Sequence, residues 1–287
     1  MRKNAALVVP AALLGLTALL FAARSAPAAP KAYKVVEVKD GGTIRGTCRI
    51  QEVPVLDKVK SEKDNDKGCG EKERDTERVI TGEDRGLANC LVFIKSIDEG
   101  KDWPEAMRSE DRKGVIDQKG CRYGPHVQWV RMATQMSVSN SDGADHNIHA
   151  YRGSMADTQF NFSSAPGKTV DDLDQEFLEK AGKYLVKCDI HPWMSAFVHV
   201  VTHPYHDVSA NPGTPGRKCG EYVLEDVPPG SYTLVFWHEG MIETAVKQDG
   251  QIKAYTYSED LPLEEEAVTV EAGKTTTMDH EFKMQSK

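Results

Sequence analysis

The chain has 287 residues, of which 39% are apolar, 28% charged and 7% aromatic, a composition that supports a packed core and is unlike that of a disordered chain. Its 36 Lys and Arg against 44 Asp and Glu leave a net charge of -8, which argues against the clustered positive charge that nucleic-acid phosphates require. Beyond the N-terminus no apolar run is long enough to cross a bilayer as a helix, so a multi-span membrane protein is not expected.

The first thirty residues read as an export signal. Arg2 and Lys3 precede an apolar stretch from Ala5 to Ala23, broken by Pro10, Gly15 and Thr17, and small residues follow from Ser25 to Ala29. Ala26 and Ala28 supply an A-x-A cleavage pattern. A retained N-terminal anchor helix is the alternative, and Pro10 and Gly15 weaken it. Cleavage after Ala28 would remove Arg2, Lys3 and Arg24, leaving 33 basic against 44 acidic residues and a charge of -11. A periplasmic or extracellular location is expected, with no membrane span in the mature chain.

Export also permits disulfides among Cys48, Cys69, Cys90, Cys121, Cys188 and Cys219. Six cysteines allow many connectivities. Cys69 and Cys121, each beside a glycine in a loop-like context, are the first candidates for a pair. Cys48 and Cys90 lie in strand-like runs, where a small buried thiol is the alternative.

The rest of the chain reads as strands. Thr43 to Ile50 alternates apolar and polar residues, as a half-buried strand does. The mixed-charge stretch from Asp57 to Arg78 reads as a solvated loop with no function assigned. Further strand candidates are Cys90 to Ile94, Val127 to Val130, Met136 to Ser139, Tyr184 to Cys188, Ala196 to Val201, Tyr222 to Leu224, Tyr232 to Trp237, Ala267 to Val270 and a run ending near Phe282. Asp171 to Ala181 fits a short helix or an extended segment equally well. Many short strands, punctuated by Pro212 to Gly216 and by Pro228-Pro229-Gly230, predict an all-β chain of sandwiches or barrels.

The chemistry concentrates between Gly182 and Met194, where Cys188, His191 and Met194 form Cys-x-x-His-x-x-Met. Thiolate, imidazole and thioether are all ligands for a soft or borderline metal, and a His2Cys set with a weak axial Met is a blue-copper arrangement. A second imidazole is needed, and His146 and His149 offer it. Side chains three apart in a strand point to opposite faces, so only one of the two should face the metal. Zinc would accept one Cys and two His, but has little use for a thioether.

These residues carry a resemblance. The segment from Gly114 to His203 resembles cupredoxins, and its ligand loop Cys188-Asp189-Ile190-His191-Pro192-Trp193-Met194 is most similar to that of amicyanins. The resemblance implies a Greek-key β-sandwich holding one type 1 copper centre. It assigns His146, Cys188, His191 and Met194 as ligands, because His146 precedes Asn147 as in the family, and it leaves His149 outside. Asn147 is then the residue that ties the first-His loop to the Cys loop. His191 becomes a surface electron port, with Trp193 part of a docking patch or else of the core. The departures are Asp189 inside the ligand loop, whose charge would favour the oxidised state, and extra sequence between Tyr151 and Lys183, which would alter access.

The flanks resemble a carboxypeptidase-regulatory-like, or transthyretin-like (prealbumin-like), β-sandwich. Gly42 to Gly46 and Leu87 to Cys90 look like its opening strands, Gly220 to Leu234 like its later hairpin and Val268 to Gly273 like its closing turn. The expected organisation is a signal peptide at 1–28, a first part of this sandwich at 29–113, a copper domain at 114–203 and the rest of the sandwich at 204–287. Two sandwiches in series are the alternative to insertion.

Such a centre carries single electrons between redox partner proteins, for example a cytochrome or a dehydrogenase. Copper storage or delivery, and a structural or adhesive module with a degenerate site, are the other readings. No catalytic role is expected. There is no His-Cys-His, no set of His-x-His pairs, and no second cysteine near Cys188 for a binuclear centre. Gly-x-Ser-x-Gly, a phosphate loop and His-Glu-x-x-His are likewise missing from the sequence. His203 and His206 form a second His-x-x-His, a weak metal signal without further ligands.

Overall fold

Alternation and long apolar runs set the strands. The computed structural model describes residues 32–53, 58–60, 68–69, 73–74, 77–109, 113–153, 155–171, 178–239, 243–248, 251–257 and 263–283. The expected signal peptide lies outside them, as does most of the candidate helix at 171–181. Among the described residues there is no α-helix, and the chain is all-β.

Two sheets face each other across one core. Thr169–Val170, Gln135–Asn140, Lys113–Gln118 and Tyr123–Gly124 form the first, in that spatial order. Thr158–Ser164, His146–Arg152, Gly182–Lys187, Ser195–Val201 and Val127–Arg131 form the second. Ile116, Met136 and Val138 from one sheet meet Ile148, Val186 and Val198 from the other, and Cys188 and Met194 belong to the same core. Each such aliphatic side chain, fully buried, contributes about 1.5–3 kcal/mol relative to exposure.

A second pair of sheets encloses another core. Here Gly42–Ile50 runs antiparallel to Glu221–Val227 and parallel to Thr275–Thr277 and His280–Phe282. Leu91–Ile94 lies between His206–Val208 and Gly230–Trp237, and the latter pairs with Glu264–Val270. Ile44, Cys48 and Ile50 pack there against Val92, Leu234, Phe236 and Val268. Gly42–Ile50 and Leu91–Ile94 thus pair with strands from 206 to 282, while strands from 113 to 201 pair among themselves. Glu243–Gln248 and Gln251–Tyr257 form a separate hairpin.

Ser195–Val201 explains how the halves meet. All seven of its residues are buried, which a strand with one wet face would not show. Ala196, Val198 and Val200 enter the first core, whereas Phe197 packs with Leu91, Val127 and Trp237 in a third cluster. His199 also meets the Trp237 ring, 4.5 Å away.

One expectation needs correction, and one segment gains a structure. Part of the 57–78 stretch is built into the fold: Val59–Lys60 pairs with Glu73–Arg74, and Arg74, Arg78 and Cys69 are buried. The extra sequence after Tyr151 contributes an edge strand, Thr158–Ser164, along His146–Arg152. Its Phe160 and Phe162 lean on the first core, while its remaining residues are polar.

Candidate metal centre

The centre forms where the Gly182–Lys187 strand ends and the chain turns into Ser195–Val201. Cys188 is the first residue past the strand, and a tight turn follows: Met194 N donates to His191 O, and Cys188 N to Met194 O. This turn folds His191 back onto Cys188. His146 opens the neighbouring strand, whose residue His149 pairs with Lys187. Strand adjacency therefore brings a distant imidazole to the Cys188 loop.

The donor atoms converge. His146 Nδ1 and His191 Nδ1 are 2.9 Å apart, and Cys188 Sγ is 3.7 Å from His191 Nδ1. His146, Cys188 and His191 each offer an atom within 4.8 Å of the others, and all three are buried. Two N–H groups could not face each other at 2.9 Å, so at least one Nδ1 presents its lone pair. Met194 is buried in the same core, immediately beside Cys188 in backbone terms.

Asp142 settles the His146 ring. Its Oδ2 accepts from His146 Nε2 at 2.9 Å and from Cys121 N at 2.8 Å, and its Oδ1 accepts from Gly120 N at 2.6 Å. With the proton on Nε2, as this network assigns it, Nδ1 is free to bind a metal. Asp142 was not singled out by sequence, where it reads as a turn residue in Asn140-Ser141-Asp142-Gly143.

Asn147 bonds to both Cys188 and Asp189. Its backbone N–H points to Cys188 Sγ at 3.5 Å, its Oδ1 accepts from Asp189 N at 2.6 Å, and its Nδ2 donates to Asp189 Oδ2 at 3.0 Å. Tyr123 Oη in turn donates to Asn147 O at 2.5 Å. Burial pushes the Cys188 thiol up, and backbone N–H groups of Asn147, His191 and Ile190 offset part of this. A metal that displaces the thiol proton would complete the compensation. Asp189 would be raised by its partial burial, yet hydrogen bonds from Asn161, His149 and Asn147 hold it below the usual carboxylate range. His149 lies on this outer network, against Asp189 at 2.9 Å, and takes no part in the donor group.

The expected surface port does not exist in this form. His191 is 0% exposed. Its outer nitrogen, Nε2, faces Cys69 Sγ at 3.7 Å, and His146 Nε2 faces Cys121 Sγ at 3.8 Å. Cys69 and Cys121 are joined as a disulfide, and this bridge covers the edges of both rings. Cys48, Cys90, Cys188 and Cys219 are free thiols. Trp193 is half-buried, packs on the first core, donates from Nε1 to Cys121 O at 3.0 Å, and carries the Arg74 guanidinium 4.9 Å above its ring. His203 and His206 are buried with rings 4.5 Å apart, and they join no group of three metal-donor residues among the described residues.

No protein-family model and no curated protein matches this chain. Solved structures resemble part of it. Amicyanin from Paracoccus versutus is 16% identical over 38% of this chain and 97% of its own, with a TM-score of 0.27. A purple cupredoxin from Nitrosopumilus maritimus is 21% identical over 31% of this chain and 99% of its own, at 0.26. A copper-containing nitrite reductase from Thermus scotoductus SA-01 is 18% identical over 30% of this chain, at 0.26, and the match spans only 22% of the reductase. A likeness at this level does not decide function, which the side chains must carry.

Proposed function

We propose that this chain is an exported protein that carries single electrons through one copper ion held by His146, Cys188, His191 and Met194. The supporting observation is the buried meeting of two imidazole Nδ1 atoms and one thiol, with His146 oriented by Asp142. The thioether of Met194 in the same core favours copper over zinc. Bound copper would supply a one-electron couple.

The chain's own part is to hold the donors. Asp142 keeps His146 Nε2 protonated, and Asn147 and the turn at 188–194 aim N–H groups at the Cys188 sulfur. The core around Ile148 and Val186 excludes water. Donors fixed in this way need little rearrangement when an electron arrives or leaves. The strand pairings support an organisation in which the 114–203 segment is inserted into a sandwich made from both flanks. The partner would be a redox protein such as a cytochrome or dehydrogenase, met in the periplasm or outside the cell.

Copper-loaded protein tests the proposal. An intense visible thiolate-to-copper band with reversible one-electron redox is expected. Cys188→Ser should abolish the band, and His149→Ala should leave it. A protein bleached by His149→Ala and not by His146→Ala would refute the ligand set. The complete burial of His191 favours one second reading, copper storage or delivery, because no imidazole edge meets solvent. That reading predicts tight Cu(I) binding, readily passed on, without the band.

A further inference from the structure

His191 stands between two sulfurs. Cys188 Sγ lies 3.7 Å from its Nδ1, and Cys69 Sγ lies 3.7 Å from its Nε2. The second sulfur belongs to the Cys69–Cys121 disulfide, and Cys69, Cys121 and His191 offer three buried donor atoms within 4.8 Å of one another. His146 is not the third donor of this set, because its Nε2 is held by Asp142. A second soft donor set therefore lies back to back with the first, with one imidazole between them.

We propose that Cys69 and Cys121, when reduced, form a second copper site, selective for Cu(I), through which copper reaches the inner centre. What the copper does next rests on the proposed function above; the binding itself does not. The chemistry balances by thiol–disulfide exchange. A dithiol attacks the bridge, two electrons and two protons pass to Cys69 and Cys121, and the dithiol leaves as its own disulfide. Cu(I) then displaces the two thiol protons, since thiolates are the soft ligands that select it. His191 borders both donor sets, so the ion moves from one side of a single ring to the other. Exchange with an external disulfide takes the two electrons back and restores the bridge over the histidine edges.

The geometry also makes the bridge a seal. In the disulfide form the sulfurs have no thiolate to offer, and they cover Nε2 of both histidines. Loading belongs to the dithiol form and retention to the disulfide form.

The experiment compares whole protein in its disulfide form with protein reduced by dithiothreitol and freed of reagent without oxygen. Each is titrated with Cu(I) in competition with bicinchoninate. The dithiol form should hold one more Cu(I) per chain, and Cu(I) should block alkylation of Cys69 and Cys121. The double variant C69S/C121S, treated in the same way, should show no such increment. Cys48, Cys90 and Cys219 are common to all samples and cancel. Equal uptake by both wild-type forms overturns the proposal, as does an extra copper in the reduced double variant. A reduced form that has lost its β-sheet circular dichroism overturns it too. An extra Cu(I) in a protein that never shows the visible band supports this site and refutes the electron-carrier reading.

Discussion

Asp142→Asn is the sharpest probe of how the centre is held. Three donors converge on the Asp142 carboxylate: Gly120 N on one oxygen, Cys121 N and His146 Nε2 on the other. An amide has one oxygen and one NH2. If the oxygen stays with Gly120, the NH2 meets Cys121 N–H and His146 Nε2–H, donor against donor. His146 can relieve this only by moving its proton to Nδ1, the nitrogen that faces His191 Nδ1 and that the proposed function assigns to copper. If the amide turns round, Gly120 N loses its acceptor and the rings keep their tautomers. Either outcome costs a hydrogen bond to a charged group, about 1.5–3 kcal/mol. Losing an outer partner of a ligand histidine typically lowers metal affinity about 10–100-fold. Copper competition titrations should therefore show D142N weaker by that factor, and nitrogen NMR of the metal-free protein distinguishes the two arrangements, the His146 proton moving to Nδ1 in the first and staying on Nε2 in the second. Unchanged copper affinity with the His146 proton still on Nε2 would refute the reasoning.

Three further outcomes are expected. Trp193→Phe removes the bond to Cys121 O and weakens the Arg74 stack, costing about 1–2 kcal/mol in urea denaturation; an unchanged urea midpoint would mean that neither contact stabilises the fold. Burial holds His203 at about 4 and His199, with help from Lys183, at about 3. Both lie below the unfolded value of about 6.5, so their contribution is complete above that pH and is lost on acidification, at about 1.4 kcal/mol per pH unit for each group. His126 runs the other way: Glu239 and Glu77 outweigh its burial and raise it, so its contribution is full below about 6.5 and fades at higher pH. Urea midpoints should fall from pH 6.5 to 4, and a flat profile there would contradict the burial of these rings. Gly46→Ala should destabilise by about 3 kcal/mol, because its Cβ would stand 1.7 Å from Met278 O; a wild-type melting temperature would mean that Gly42–Ile50 and the C-terminal strands are not so closely apposed.

Local pattern made some of this legible and long-range packing hid the rest. Gly42–Ile50 was readable because Ile44, Cys48 and Ile50 alternate with wetter residues, and the same burial is found in three dimensions. Ser195–Val201 was readable as a strand from its apolar run, but not as one buried on both faces, since Phe197 depends on Trp237 far downstream. Thr158–Ser164 escaped notice because an edge strand needs few apolar residues, and it carries two. The Cys188–Met194 loop stood out by combining three ligand types at short spacing, and the fold brings Cys188 and His191 together with His146. His191 was misplaced at the surface because nothing near it in sequence says that Cys69 and Cys121 close over it. Asp142 was overlooked because a carboxylate in a turn-forming stretch ordinarily bonds its own backbone.

The pairing of Gly42–Ile50 bears on how the chain comes to be folded at all. This strand emerges early, yet Thr47 waits for Glu221 and Cys48 for His280. During synthesis it must travel unpaired past everything from 113 to 201, a stretch whose own strands find partners close at hand. Contacts of such long span form slowly and leave apolar edges bare in the meantime. A chaperone that shelters Ile44 and Ile50 until the last strands have been synthesised would therefore govern the yield of folded chain.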